Sequence, residues 1–262
     1  MRPVPTLVAA SYQRSFNSGR TTPRVFVCED FDGNNVGEFV VKMRGSIETH
    51  EAGLLREILG NLFAYEVGIA TAEPAIVRID PELAAALTNQ TVADVVANSL
   101  GLNYGSANLA GGYSTWPVGK IVPQSLKADA ADIFVFDALI QNPDRRTGKP
   151  NLLWKDDHLV VIDHEMAFSF LLSIIPSTTP WLLDEQPYLR DHVFFSELLH
   201  EQVDLERIAG AIEAIGDDFW EEADSVIPNN WKGSELARIR AHVESVQQHL
   251  DVFMNEIRRI LL

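Results

Sequence analysis

Two stretches decide how this chain is read. They are Asn142-Pro143-Asp144-Arg145-Arg146-Thr147-Gly148-Lys149-Pro150-Asn151 and Val160-Val161-Ile162-Asp163-His164-Glu165. The first sets an aspartate and an asparagine in one polar, turn-forming loop. The second puts an aspartate directly after a short apolar strand, which fixes it rigidly at a crevice. Earlier in the chain, Val40-Val41-Lys42 ends another apolar strand in a lysine, and the helix that follows carries Glu51 and Glu57. Transfer of an ATP γ-phosphoryl group needs these parts. A strand lysine neutralises the α- and β-phosphates, a helix glutamate holds that lysine, and a loop aspartate orients the acceptor hydroxyl. An asparagine and a second aspartate hold Mg²⁺. Mg²⁺ takes hard oxygen ligands and keeps several waters, so one asparagine and one aspartate suffice.

Each piece alone has an ordinary explanation. A strand ends in a surface lysine, a helix glutamate is solvated, Asn-Pro-Asp-Arg makes a turn, and Ile-Asp-His-Glu caps a helix. The order changes the weight. Lys42, a helix, Asp144, Asn151, an apolar strand and Asp163 follow one another as a two-lobed kinase requires.

The 262 residues are 46% hydrophobic and 22% charged, enough to bury a real core. A net charge of −16 argues against a dedicated nucleic-acid partner, since phosphate contacts need clustered Lys and Arg. Residues 1–44 are the exception, with six basic residues against four acids, and alone would welcome an anionic ligand. Cys28 is the one cysteine, which excludes an internal disulfide and a Cys-based zinc site and fits a reducing cytoplasm. The first ten residues are too short for a signal-peptide core. No apolar run approaches the roughly 20 residues of a membrane span. A cytoplasmic protein without membrane contact is expected.

Residues 24–43 read as a β-hairpin turning at Asp32-Gly33-Asn34-Asn35, preceded by a polar loop over 15–23. Apolar Leu55, Ile58, Leu59, Leu62 and Tyr65 predict a helix over 49–67, closed by Gly68. A strand follows at 75–79, then short helices at 80–87 and 91–100. Hairpin, helix, strand in that order suggests an antiparallel sheet carrying a helix. Residues 103–115, rich in Gly, Ser and Asn, mark the best internal boundary. Beyond it helices are expected at 127–141, 189–200, 204–215, 217–225 and 234–261, with a strand over 159–163. The last helix carries Leu236, Ile239, Val243, Val246, Leu250, Phe253, Ile257 and Ile260 in heptad spacing. Such a seam serves a dimerising coiled coil or packing onto the chain's own core, and the second is favoured because core helices make such stripes routinely.

The chain resembles the HipA-like kinases, a bacterial branch of the protein-kinase-like fold related to the phosphatidylinositol kinases. The matching text is Phe136-Asp137-Ala138-Leu139-Ile140-Gln141-Asn142-Pro143-Asp144-Arg145, then Asn151-Leu152-Leu153-Trp154, then Val161-Ile162-Asp163-His164-Glu165. It is similar to the family's Asn-x-Asp-Arg…Asn loop and Ile-Asp-His segment. Arg56-Glu57-Ile58-Leu59-Gly60 is similar to the family's regulatory-helix pattern. The resemblance covers about residues 15–170. It implies Lys42 as the phosphate-binding lysine, Glu57 rather than Glu51 as its partner, Asp144 as the catalytic aspartate, and Asn151 and Asp163 as Mg²⁺ ligands. The loop from Ser15 to Thr22 would cover the phosphates, with Ser18, Gly19 and Arg20 nearest, and Ala107 to Gly111 would meet the adenine.

Three departures accompany it. The gap from Asp144 to Asn151 is longer than in protein kinases, so 146–150 must loop out. The metal segment reads Asp-His-Glu in place of Asp-Phe-Gly. The N-terminal extension of many HipA toxins is missing from this sequence, which counts against a toxin role. His164 is read as a packed residue ahead of a ligand or base. Glu165 is read as pairing with Arg145 or Arg146 ahead of serving Mg²⁺, and Asp137 as a structural acceptor.

The expectation is therefore an α+β, bilobal protein-kinase-like fold. Residues 1–110 form a small antiparallel-sheet lobe with one helix, and 111–262 a mainly helical lobe. The expected activity is ATP- and Mg²⁺-dependent transfer to a hydroxyl, with the resemblance implying Ser or Thr of a protein. A small-molecule acceptor, a nucleotide-binding pseudokinase or interaction module, and AMP transfer are the alternatives.

Overall fold

The computed structural model describes residues 3–16, 22–109, 111–173 and 177–262. The elements begin with β1 (Thr6–Ser15), β2 (Arg24–Glu29), β3 (Asn35–Lys42), α1 (Glu51–Glu66) and β4 (Pro74–Ile79). Then come α2 (Pro81–Ala86), α3 (Gln90–Ala97), β5 (Gly101–Ala107), β6 (Ser114–Thr115) and α4 (Lys127–Leu139). After these follow β7 (Leu152–Lys155), β8 (His158–Val161), α5 (Phe195–Leu198), α6 (Glu206–Glu213), α7 (Asp217–Val226) and α8 (Asn229–Lys232). The chain closes with α9 (Glu235–Gln247) and α10 (Leu250–Leu261). Among the described residues no helix is long and apolar enough to cross a membrane.

The β2–β3 hairpin forms where its sequence predicts it. β-Branched and aromatic residues fill the strands, and the turn is built by Asp30, whose Oδ1 accepts the N–H groups of Asp32 and Asn34 at 2.9 Å each. Gly33 takes φ +82°, the left-handed conformation that costs glycine least.

The sheet around this hairpin departs from expectation. Its strands close into a barrel in the order β1-β2-β3-β5-β4, and β1 pairs with β4 in parallel, Thr6 opposite Ile76. It is therefore a mixed, closed sheet and not an antiparallel one, and the short helices expected at 80–87 and 91–100 form as α2 and α3 and pack on it, beyond the one helix assigned to this lobe. Closure leaves no strand edge. Two strands of this barrel escaped the sequence reading, as did β6 and β7 of the second sheet. Thr6–Ser15 had no assignment, and Gly101–Ala107 fell partly in the stretch taken as a boundary because its Gly, Asn and Ser residues have poor strand propensity. Those small residues have a packing reason: a Cβ on Gly105 would sit 2.5 Å from a Val77 methyl, so β4 and β5 approach closely only because it is absent. Leu7, Ala9, Phe26, Cys28, Phe39, Val41, Ala75 and Val77 form one core with residues of α2 and α3.

α1 belongs to the larger second core. Residues Gly53 to Ala64 are all buried, so the helix is enclosed on every side and not merely along one stripe. Its apolar residues cluster with those of α4 and α6 to α10. Gly68, at φ +79°, ends it as expected. A second small sheet, β6-β7-β8, is antiparallel. The helix expected over 189–200 is a 3₁₀ turn at Pro187–Asp191 followed by the short α5.

The long final helix is corrected as well. It is two helices broken near His249. Gln247 Nε2 donates to the carbonyls of Ile212 and Ile215 at 2.8 Å each, and the His249 ring stacks on Trp181 at 3.5 Å, so tertiary contacts bend the chain out of helical register. Ile239, Val243, Val246, Phe253 and Ile257 are buried in the chain's own core, with Leu236, Leu250 and Ile260 packed against it. The seam is thus taken up within one chain.

Two outcomes are expected. Ile257→Ala should lower unfolding stability by about 2–5 kcal/mol, with a urea midpoint independent of protein concentration; a coiled-coil dimer would give a concentration-dependent one. The fully buried Cys28 thiol, pushed up to about 12 by burial, stays protonated at pH 8. It should react with an aromatic disulfide reagent only as the barrel unfolds, and rapid labelling of native protein would contradict closure.

Candidate active site

Lys42 ends β3 facing inward and is buried. Its ammonium binds the carboxylates of both Glu57, from the middle of α1, and Asp163, two residues past β8. Glu57 uses its other oxygen to accept the His164 backbone N–H at 3.1 Å. Glu51, the rejected alternative, pairs instead with Arg44 at 3.1 Å. Burial on its own would lower the Lys42 pKa, but the Asp163 and Glu57 carboxylates outweigh it and the net shift is upward. Burial lifts the Glu57 carboxyl to about 7 against the pull of Lys42 and with a push from Asp163. Burial also acts to raise Asp163, yet Lys42 and then Lys149 hold it well below the usual carboxylate range. Of the two acids on Lys42, Asp163 therefore keeps its charge more firmly.

The loop from Asn142 to Asn151 is built around Asp137 of α4, which has no exposed surface. Asp137 accepts from Asn142 Nδ2 at 2.9 Å, Arg145 Nε at 2.5 Å and His192 Nε2 at 3.0 Å. It is the structural acceptor the sequence suggested. Buried Arg145 also donates through Nη1 to the carbonyls of Asn151 and Ile162. The extra loop length is absorbed in a tight turn. Arg146 and Lys149 exchange backbone hydrogen bonds of 3.1 and 2.9 Å, which carries Thr147 and Gly148 out and returns Asn151 to Asp144. Asn151 Nδ2 then donates to Asp144 Oδ2 at 3.0 Å.

Backbone strain concentrates here. Gln141, Asn151, Asp163 and Phe168 all have φ between +45° and +62°, a region costly for residues other than glycine. Asn and Asp tolerate it best, so the residue types that the chemistry requires also suit the backbone.

Lys149 was read only as part of the looped-out stretch. Its ammonium binds Asp144 Oδ2 and lies 3.2 Å from Asp163 Oδ2, bridging two acids that the sequence placed far apart. The only available signal was a lysine two residues before Asn151, and nothing in the sequence told where its side chain would reach. Glu165 is also corrected. It does not pair with Arg145, which is committed to Asp137, nor with Arg146; its carboxylate oxygen lies with those of Glu57 and Asp163, all within 4.8 Å of one another. His164 is packed, as favoured. It is 1% exposed, and burial pushes its imidazole down to about 3, with Arg145 adding to the shift.

Lys149 and His164 line a cavity of about 470 Å³, which also takes in Val40, Tyr104, Ala107, Asn108, Leu109 and Leu153. Lys42, Glu57, Asn151 and Asp163 line it directly, whereas Asp144 is reached through Lys149 and Asn151 at its margin. Ser18, Gly19 and Arg20 lie outside the described residues, but Phe16 and Pro23, which flank them, line the cavity. Of the stretch expected to meet a base, Ala107 to Leu109 are in place on its wall.

α1 approaches this site closely through Gly60. A Cβ there would lie 2.4 Å from the Cβ of His164, an atom next to the backbone that has little room to give. Gly60→Ala should therefore destabilise the protein by about 1–3 kcal/mol, read by urea unfolding; a variant as stable as wild type would show that α1 does not need this approach.

A protein-family model described as HipA-like kinase matches residues 10–257 of the chain. No curated protein matches it. Among solved structures, the Helicobacter pylori proinflammatory kinase CtkA aligns over 99% of this chain and 96% of its own, at 12% identity and a TM-score of 0.47.

Proposed function

This chain belongs to the HipA-like kinase family, and from that premise we propose that it transfers the γ-phosphoryl group of ATP, with Mg²⁺, to a hydroxyl acceptor. The observation that carries the reading is the convergence on one cavity wall of Lys42, Glu57, Asn151 and Asp163, drawn from β3, α1, the Asn142–Asn151 loop and the end of β8, with Asp144 joined to Asn151. Residues 1–110 and 111–262 act as the two lobes. Ser18, Gly19 and Arg20 are assigned to the phosphates on family grounds.

The residues present suit Mg²⁺. Asn151 commits its amide nitrogen to Asp144, leaving its oxygen for a cation. Asp163, with Glu165 close by, adds hard carboxylate oxygens. Bound there, Mg²⁺ would offset the charge of the phosphoryl oxygens. Lys42, held by Glu57, neutralises the α- and β-phosphates. Lys149 is free to leave Asp163 for a phosphoryl oxygen, since its two acids gain other neighbours when the nucleotide is loaded. Asp144 accepts a hydrogen bond from the acceptor hydroxyl and takes its proton as the new O–P bond forms and the bond to ADP breaks. A serine or threonine of a protein is the acceptor assigned on family grounds, and the buried free thiol of Cys28 is compatible with a cytoplasmic setting.

Incubation with γ-labelled and α-labelled ATP tests this. Label should transfer from the γ position alone, and Asp144→Ala and Asp163→Ala should each slow transfer by about 100-fold or more. Transfer from the α position would mean AMP transfer. ATP-dependent thermal stabilisation with no transfer would mean a nucleotide-binding module.

A further inference from the structure

Asn61 sits one helical turn beyond Glu57 on α1, is 2% exposed and lines the same cavity. Its amide nitrogen is fully used. Nδ2 donates to Thr71 Oγ1 at 2.8 Å and to the Ala72 carbonyl at 2.9 Å, and the Thr71 hydroxyl passes its own proton to the Val161 carbonyl at 3.2 Å. The Ala72 carbonyl can only accept, so it fixes which way the amide lies; the flipped amide would set two oxygens face to face. That leaves Asn61 Oδ1 as a buried acceptor without a partner among the described residues. Such a group is expensive unless something supplies a donor.

The neighbourhood indicates what supplies it. Pro74 pairs with Ser106, and the Ala107 N–H bonds the Glu73 carbonyl at 2.8 Å, so Ala72 lies beside the end of β5. Ser106 and Ala107 carry small side chains and line the cavity together with Asn61, Thr71 and Ala72. The Asn61 amide and the small side chains at the end of β5 therefore share one cavity wall.

We infer that Asn61 selects the nucleobase: its Oδ1 accepts a hydrogen bond, directly or through one water, from the exocyclic amine of a 6-aminopurine seated against the end of β5. A 6-oxopurine would bring an acceptor to an acceptor and is disfavoured. This rests on the reading of the cavity as a nucleotide site. It assigns a binding role to the half of the Asn61 amide that its bonds to Thr71 and Ala72 leave unused.

Dissociation constants for ATP and for purine riboside 5′-triphosphate, which lacks only the 6-amine, test it by calorimetry on the full chain. Wild type should bind ATP about tenfold more tightly. Asn61→Leu should bring the ratio to within about twofold of unity, and Asn61→Ser, whose hydroxyl is too short to reach, should do the same if the leucine variant fails to fold. A wild-type ratio near one overturns the inference. So does an unchanged ratio in a folded variant, which would mean that Oδ1 serves a resident water. Binding of neither triphosphate would instead overturn the nucleotide reading itself, and this inference with it, and is distinguishable from binding without discrimination.

Discussion

The buried pair of Asp137 and Arg145 carries the geometry of the site. Neither side chain has exposed surface, and desolvating two such charges costs several kcal/mol per ion unless their remaining polar atoms are satisfied. They largely are. Asp137 receives three donors, and Arg145 extends to the carbonyls of Asn151 and Ile162. One guanidinium therefore fixes the start of the loop, its end, and the strand end that bears Asp163. Removing either partner would leave an uncompensated buried charge, so the arrangement is held far more firmly than a surface loop of ten residues would be.

The second constraint is the balance of charge over the cavity wall. Glu57, Asp144, Asp163 and Glu165 bring four carboxylates together, and Lys42 and Lys149 answer them. Lys42 is locked by burial and two acids. Lys149 is more than a third exposed and stands on a turn, so of the two cations it is the one able to move. The two cations therefore differ in freedom, one fixed on the wall and one on an exposed turn.

Much of this was legible in the sequence, for identifiable reasons. The hairpin at 24–43 declared itself through strand-forming residues and Asp/Asn/Gly turn chemistry, both of them local. Order along the chain singled out Lys42, Asp144, Asn151 and Asp163 together, while the choice of Glu57 over Glu51 came from the family resemblance; the structure brings Lys42, Glu57, Asn151 and Asp163 to one cavity wall. What escaped depended on partners distant in sequence. β5 looked like a linker because Gly105 is glycine for the sake of Val77, a strand away. The final helix looked continuous because its apolar spacing is uninterrupted, while the break comes from Gln247 reaching α6 and His249 reaching Trp181. Glu165 was misassigned because Arg145, the partner expected for it, is claimed by Asp137.

By itself, then, the sequence determined the local elements and the list of chemical groups, since propensity, turn chemistry and spacing act over a few residues. Only the tertiary structure decided the closure of the sheet into a barrel, the fate of the heptad seam, the bridging role of Lys149 and the stranded acceptor on Asn61. Each of these depends on which groups are already satisfied by partners far along the chain, and hydrogen-bond and charge satisfaction inside a protein is a property of the packed whole.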